Sequence, residues 1–153
     1  YNKTMDFHTK LQNDLVNAMI ARDDTQKWVV RLLKSTIELA EVSKGKALTD
    51  DEFLGVVQKE IKTRNESLAD AQKAHRQDLV DAALAEIEIL KTYLPAQLNP
   101  NELLELVRQT IVDVNATSSK DMGAVMKVLL PKLQGMATNS EASRVVKEEL
   151  SKA

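Results

Sequence analysis

The chain has 153 residues, no Cys, two His, and 21 Lys and Arg against 23 Asp and Glu. The lack of Cys excludes a disulfide framework, Cys-ligated zinc and iron–sulfur clusters, and a net charge of −2 excludes a nucleic-acid protein held by bulk positive charge alone. A hydrophobic fraction of 43% beside 29% charge is that of a folded domain rather than a disordered one, and no apolar run reaches the roughly 18 residues of a membrane span.

Tyr1 is no translational start, so Met5-Asp6-Phe7 reads as a native beginning, with Tyr1 to Thr4 left by processing or added ahead of it. No basic stretch followed by an apolar run marks a signal peptide, while a removed mitochondrial presequence stays open. The N-x-[ST] matches at Asn2, Asn65 and Asn115 are therefore read as chance.

The apolar spacing is helical nearly throughout. Phe7, Leu11, Leu15 and Ala18 share one face of a first helix. Asp23-Asp24 interrupts it, and acidic residues suit the start of the next helix better than a metal site. The second helix carries Trp28, Leu32, Leu33, Ile37, Leu39 and Ala40, and ends at Ser43-Lys44-Gly45-Lys46, where Gly45 supplies a left-handed cap. Thr49-Asp50-Asp51-Glu52 is a capping box. It opens a long third helix through Phe53, Val57, Ile61, Arg64, Leu68 and Ala71. After a polar break at His75-Arg76-Gln77-Asp78, a fourth helix carries Leu79, Ala83, Ile87, Leu90 and Leu94. Tyr93-Leu94-Pro95 stops it, because the residue before Pro avoids helical torsions.

Asn99-Pro100-Asn101-Glu102 starts a new helix with an Asn cap, Pro at the first position and Glu at the third. It continues through Leu103, Leu104, Val107, Ile111 and Val114. A further helix follows Ser118-Ser119. The last follows a second capping box at Thr138-Asn139-Ser140-Glu141 and carries Val145, Val146 and Leu150. The expected architecture is all-α: an N-terminal domain of about four helices over 5–96, then a small three-helix tail domain over 97–153.

Catalytic motifs for zinc proteases, phosphate loops, dinucleotide folds and serine hydrolases are missing. Ser43 to Lys46 matches S-x-x-K without its companion motifs and reads as a solvated helix end. His75, beside Arg76, reads as a loop residue rather than an acid–base group, since a lone His has no second group to hold its tautomer. The tail carries a stronger signal. At about 100° per residue, Lys120, Gly123 and Lys127 fall within about 60° of one another, with Met122, Val125, Met126 and Leu129 opposite. Residues 120–147 hold Lys120, Lys127, Lys132, Arg144 and Lys147 against Asp121 and Glu141. A basic face with a glycine gap suits approach to a phosphate backbone. The competing reading is a solvated surface on which Gly123 serves helix packing. No aromatics interleave these lysines, so a structured RNA read by shape fits better than a single strand.

Ile61-Lys62-Thr63-Arg64-Asn65-Glu66-Ser67, Arg76-Gln77-Asp78-Leu79, Glu86 with Glu88, Tyr93-Leu94-Pro95-Ala96-Gln97-Leu98 and Lys120-Asp121-Met122-Gly123-Ala124-Val125-Met126 occur in that order. In this order and spacing the chain resembles the GatB/YqeY family, from Phe7 to its end, and in particular the free-standing YqeY-like proteins. The resemblance implies an all-helical, two-part protein. Its second part is similar to the tail domain of the GatB component of the tRNA-dependent amidotransferase, where the tail helps hold tRNA and the chemistry lies in other domains. The activity label that travels with the family, carbon–nitrogen ligase with glutamine as amido-N-donor, calls for residues this sequence lacks. Where family members commonly read Gly-Lys-Ala-Asp-Gly, this chain has Gly135-Met136-Ala137-Thr138-Asn139. Met136 replaces the loop lysine and Asn139 the second glycine, although Asn still tolerates left-handed torsions. That weakens the tRNA inference at this loop.

The expectation is an accessory helical module with no catalytic residues, metal or cofactor. It would contact tRNA or a tRNA-dependent amidotransferase complex through Lys120, Gly123, Lys127, Lys132, Arg144 and Lys147. The alternative is a protein-docking module without RNA contact. The expected protein is a monomer without membrane attachment, cytoplasmic, or in the mitochondrial matrix if eukaryotic.

Overall fold

The computed structural model describes residues 6–152. The expectations for Tyr1 to Thr4, Met5 and Asn2 lie outside the described residues. Among the described residues there are seven α-helices, one 3-10 turn and no strand. They are α1 (Phe7–Ala21), α2 (Asp24–Lys44), α3 (Asp50–Lys73), α4 (Gln77–Lys91), α5 (Pro100–Asp113), α6 (Met122–Leu133) and α7 (Asn139–Ser151), with the turn at Ser119–Asp121. The chain forms two compact units, one up to Leu94 and the other from Pro95.

In the first unit the starts of α1, α2 and α3 and the end of α2 have local chemical causes. Asp6 caps α1 by accepting from the Thr9 N–H at 3.0 Å. Arg22 turns left-handed at φ 57°, and Asp23 then caps α2 through the Gln26 N–H at 3.0 Å. The acidic pair is therefore helix-starting chemistry. Gly45 closes α2 at φ 82°, a torsion that costs glycine little. The Thr49–Glu52 box closes in both directions, and the Glu52 carboxylate also binds the Lys44 ammonium. Together the Lys44 contact and the Thr49 N–H hold the Glu52 carboxyl down to about 2.

The core of this unit gathers Leu11, Val29, Val30, Leu33, Ile37, Phe53, Val57, Ile61, Ile87, Leu90 and Tyr93. Phe7 stacks on Phe53 at 4.4 Å, and Phe53 meets Tyr93 edge-on at 6.2 Å. Two expectations fail in phase. Val29, Val30, Leu33 and Ile37 form the buried stripe of α2, which turns Trp28 and Leu39 outward at 61% and 73% exposure. On α4, Val80 is buried and Leu79 is not.

The second unit starts where Asn99 accepts from the Glu102 N–H at 2.8 Å and Glu102 returns a bond to the Asn99 N–H at 3.0 Å. The Leu98 N–H donates to the Met136 carbonyl at 2.8 Å, and the Gln97 amide donates to the Gly135 carbonyl at 2.8 Å, so the linker is tied to the α6–α7 loop. Leu103 and Val107 of α5, Val125, Leu129 and Leu133 of α6, and Ala142, Val145, Val146 and Leu150 of α7 bury together.

Three local details differ from the sequence reading. α6 begins at Met122, and Lys120 sits on the preceding 3-10 turn. Thr138 caps α7 through the Glu141 N–H at 3.1 Å without the return bond of a full box. Left-handed torsions fall at Gln134 (φ 46°) and Gly135 (φ 79°), while Asn139 is already helical.

Asn99→Ala should lower the stability of the second unit by about 1 kcal/mol, the usual loss for such a cap. Chemical denaturation followed through that unit checks it, and an unchanged midpoint would contradict the capping role.

Candidate functional site

The lysine-bearing face is built by a rigid turn followed by a helix. Ser118 accepts from the Lys120 N–H at 3.3 Å. The Asp121 carboxylate accepts from the Thr117 N–H at 2.8 Å and the Ser118 N–H at 3.3 Å. These two backbone donors, Thr117 first, hold the Asp121 carboxyl below its ordinary value. Asp121 is thus bound to the turn and leaves the neighbouring Lys120 without a carboxylate. Lys120 stands on the turn, and Gly123 follows three residues later as the second residue of α6. Lys127 lies one helical turn further along the same face.

Gly123 is exposed, and a Cβ placed on it would meet nothing within 4 Å. Tight helix packing therefore does not require this glycine, and the gap between the two lysines opens to solvent. Val125 and Leu129 on the opposite side are fully buried. Lys120, Lys127 and Lys147 are exposed, with no ion pair among the described residues.

The other two basic candidates are partly neutralised. Lys132 lies 3.5 Å from Asp113 of α5, and Arg144 lies 3.0 Å from Glu148, one turn along α7. Of the five basic candidates, three lysines retain uncompensated charge. Leu130 falls on the Gly123 and Lys127 side of α6 and Val128 on another, each over one third exposed.

Elsewhere in this unit, α5 and the end of α6 border an open groove of about 710 Å³, lined by Leu98, Leu106, Val112 and Met136 with Glu102, Glu105 and Lys132 among its polar groups. Met136 contributes an apolar wall here. Arg108, also on the groove, donates to Glu149 at 2.5 Å, and Lys152 lies 3.1 Å from the same carboxylate. These contacts, Arg108 first, hold the Glu149 carboxyl below its ordinary value and tie α5 to α7.

Other chemical candidates resolve as structural. The His8 ring is 2.9 Å from Glu41, which also accepts from the Leu48 N–H at 2.9 Å, so the pair braces the α2–α3 loop. His75 takes a left-handed torsion, φ 55°, between α3 and α4. Ser43 and Lys46 are both exposed at a helix end. Among the described residues no three His, Asp or Glu groups gather as a metal site would need.

Two clusters in the first unit escaped the sequence reading. Arg64 is buried, 2.6 Å from Glu60 and 3.5 Å from Glu86. The Tyr93 hydroxyl donates to Asp14 at 2.5 Å, with the Lys10 ammonium 3.2 Å from Asp14 and 4.9 Å from the Tyr93 ring centre. The one available signal for Arg64 was its place on the apolar stripe of α3, between Ile61 and Leu68. Its carboxylate partner on α4 is not readable from spacing.

The chain matches the family model described as Yqey-like protein over residues 8–150. It is similar to proteins named "Altered inheritance of mitochondria protein 41, mitochondrial". With that of Vanderwaltozyma polyspora it is 33% identical over 121 residues, which is 74% of this chain and 65% of the relative. With that of Pyrenophora tritici-repentis it is 27% identical over 135 residues, 86% of this chain and 74% of the relative. With that of Lachancea thermotolerans it is 38% identical over 91 residues, 59% of this chain and 49% of the relative. The matched region thus spans between about half and three quarters of the length of these relatives.

Proposed function

The chain belongs to the YqeY-like family, and from that premise we propose that its second unit is an accessory binding module for structured RNA, tRNA foremost. In this reading it works beside a tRNA-handling complex such as a tRNA-dependent amidotransferase and performs no chemistry of its own. The two units act as separate domains, 5–96 and 97–153. The relatives' names place them in mitochondria, and the mitochondrial matrix is the compartment proposed for this chain.

The observation that carries the reading is the pair Lys120 and Lys127, exposed, unpaired and separated by an open glycine. Phosphate contacts need cations whose charge is not already satisfied, and backbone approach needs a gap in side-chain cover. Val128, Leu130 and the groove beside α5 favour a second reading, a protein-docking surface on the same unit.

Equilibrium titration of tRNA into the full chain at low salt separates the two. The first reading expects tRNA to bind more tightly than an unstructured strand of equal length. Gly123→Leu should weaken that binding without altering charge, while Gly123→Ala, whose methyl meets only open space, should not. No measurable tRNA affinity would leave protein docking as the reading.

A further inference from the structure

The outward side of α2 carries a row of residues that the first unit leaves uncovered. Trp28, Leu39 and Val42 are 61%, 73% and 81% exposed. Arg31 and Ser35 are exposed between them. The spacing of three, four, four and three residues puts all five on one face, directly away from the buried Val29, Val30, Leu33 and Ile37. Single exposed apolar residues are ordinary on a protein surface, but here three large ones share one face of one helix with Arg31 and Ser35 between them.

We propose that this face pairs with the same face of a second copy of the chain, antiparallel, about a two-fold axis at Ser35. A closed symmetric dimer requires that when one residue meets another, the reverse contact also forms. The row has this property. Trp28 and Val42 are equally distant from Ser35, so each Trp28 packs on Val42 of the second copy. Arg31 and Leu39 are also equally distant and meet in the same way. Ser35 meets Ser35, and its small side chain lets the helix axes approach.

The charges agree with this register. Arg31 and Glu38 are both exposed and have no ion pair among the described residues. They lie seven residues apart on one flank of the row, about two helical turns, too far to join within one helix. In the antiparallel pair, Arg31 of one copy lies within about one residue's rise, ~1.5 Å along the axis, of Glu38 of the other on the same flank. The symmetry supplies two such ion pairs. The N-terminal end of each α2 also lies beside the C-terminal end of its mate, so the helix dipoles oppose favourably. An unrelated partner would require none of this self-complementarity. The proposal replaces the monomer expected from the sequence.

The single tryptophan reports the contact, because Trp28 is the only one in the chain. Sedimentation equilibrium of the full chain into the high micromolar range should show a monomer–dimer equilibrium, with Trp28 emission moving to shorter wavelength as the dimer fills. Leu39→Glu with Val42→Glu should abolish both signals. Far-UV circular dichroism should stay unchanged, since these side chains are exposed. Arg31→Glu alone and Glu38→Arg alone should each weaken the dimer about tenfold or more, because each places like charges together twice. The double swap should restore it, as no merely structural role of either residue would. A strictly monomeric wild type, a dimer indifferent to Leu39→Glu with Val42→Glu, or a double swap that fails to restore association would each overturn the proposal.

Discussion

Leu129→Ala should lower the stability of the second unit by about 2–5 kcal/mol, the range for emptying a well-packed leucine site. Leu129 is fully buried at the middle of α6, among Val107, Val125, Leu133 and Val146. A domain is typically stable by only about 5–15 kcal/mol, so this one change removes much of the margin of a small helical unit. The lysine face lies on the other side of α6. At temperatures where the variant is still folded, tRNA affinity and its salt dependence should therefore match the wild type. Urea denaturation followed through the second unit reads the loss, and an unshifted midpoint would contradict the described core.

Tyr93→Phe should lower the stability of the first unit by about 1.5–3 kcal/mol at neutral pH, the range for a hydrogen bond to a charged group. The lower end is expected because Asp14 keeps its Lys10 contact and some water. The same variant should change the response to alkali. Burial, and then the Asp14 carboxylate, push the Tyr93 hydroxyl above its ordinary value. A raised folded-state value means that the folded chain holds this proton more firmly than the unfolded chain. The stability it contributes is complete below about pH 10, where unfolded tyrosine begins to ionise, and is lost as pH rises toward the folded value. Wild-type stability should thus fall above about pH 10 more steeply than that of Tyr93→Phe. Denaturation midpoints across the alkaline range measure the difference, and parallel curves would contradict the Tyr93–Asp14 contact.

The helix ends were the most legible part of the sequence because their chemistry is local. Thr49 with Glu52, Asn99 with Glu102, and Gly45 each act within three or four residues, and each does so in the structure. Which face of a helix buries was less legible where the apolar residues allow two phases. On α2, Trp28, Leu32 and Leu39 compete with Val29, Val30, Leu33 and Ile37, and only the neighbouring helices select the second set. Long-range pairing was not legible at all. Nothing in spacing brings Asp113 to Lys132, or Glu86 to Arg64. The Arg144–Glu148 pair was readable, since the two stand one turn apart. The lysine face itself was legible from the helical period, apart from the 3-10 turn that carries Lys120.

In the proposed function the unpaired lysines around Gly123 meet phosphates, and the salt dependence of tRNA binding reads that contact. Each lysine that neutralises a phosphate adds roughly 0.7–0.9 to the slope of log affinity against log salt. Lys120→Ala with Lys127→Ala should therefore weaken tRNA binding and flatten that slope by about one to two units relative to the wild type. A double variant that binds tRNA with the same affinity and the same slope as the wild type would contradict it.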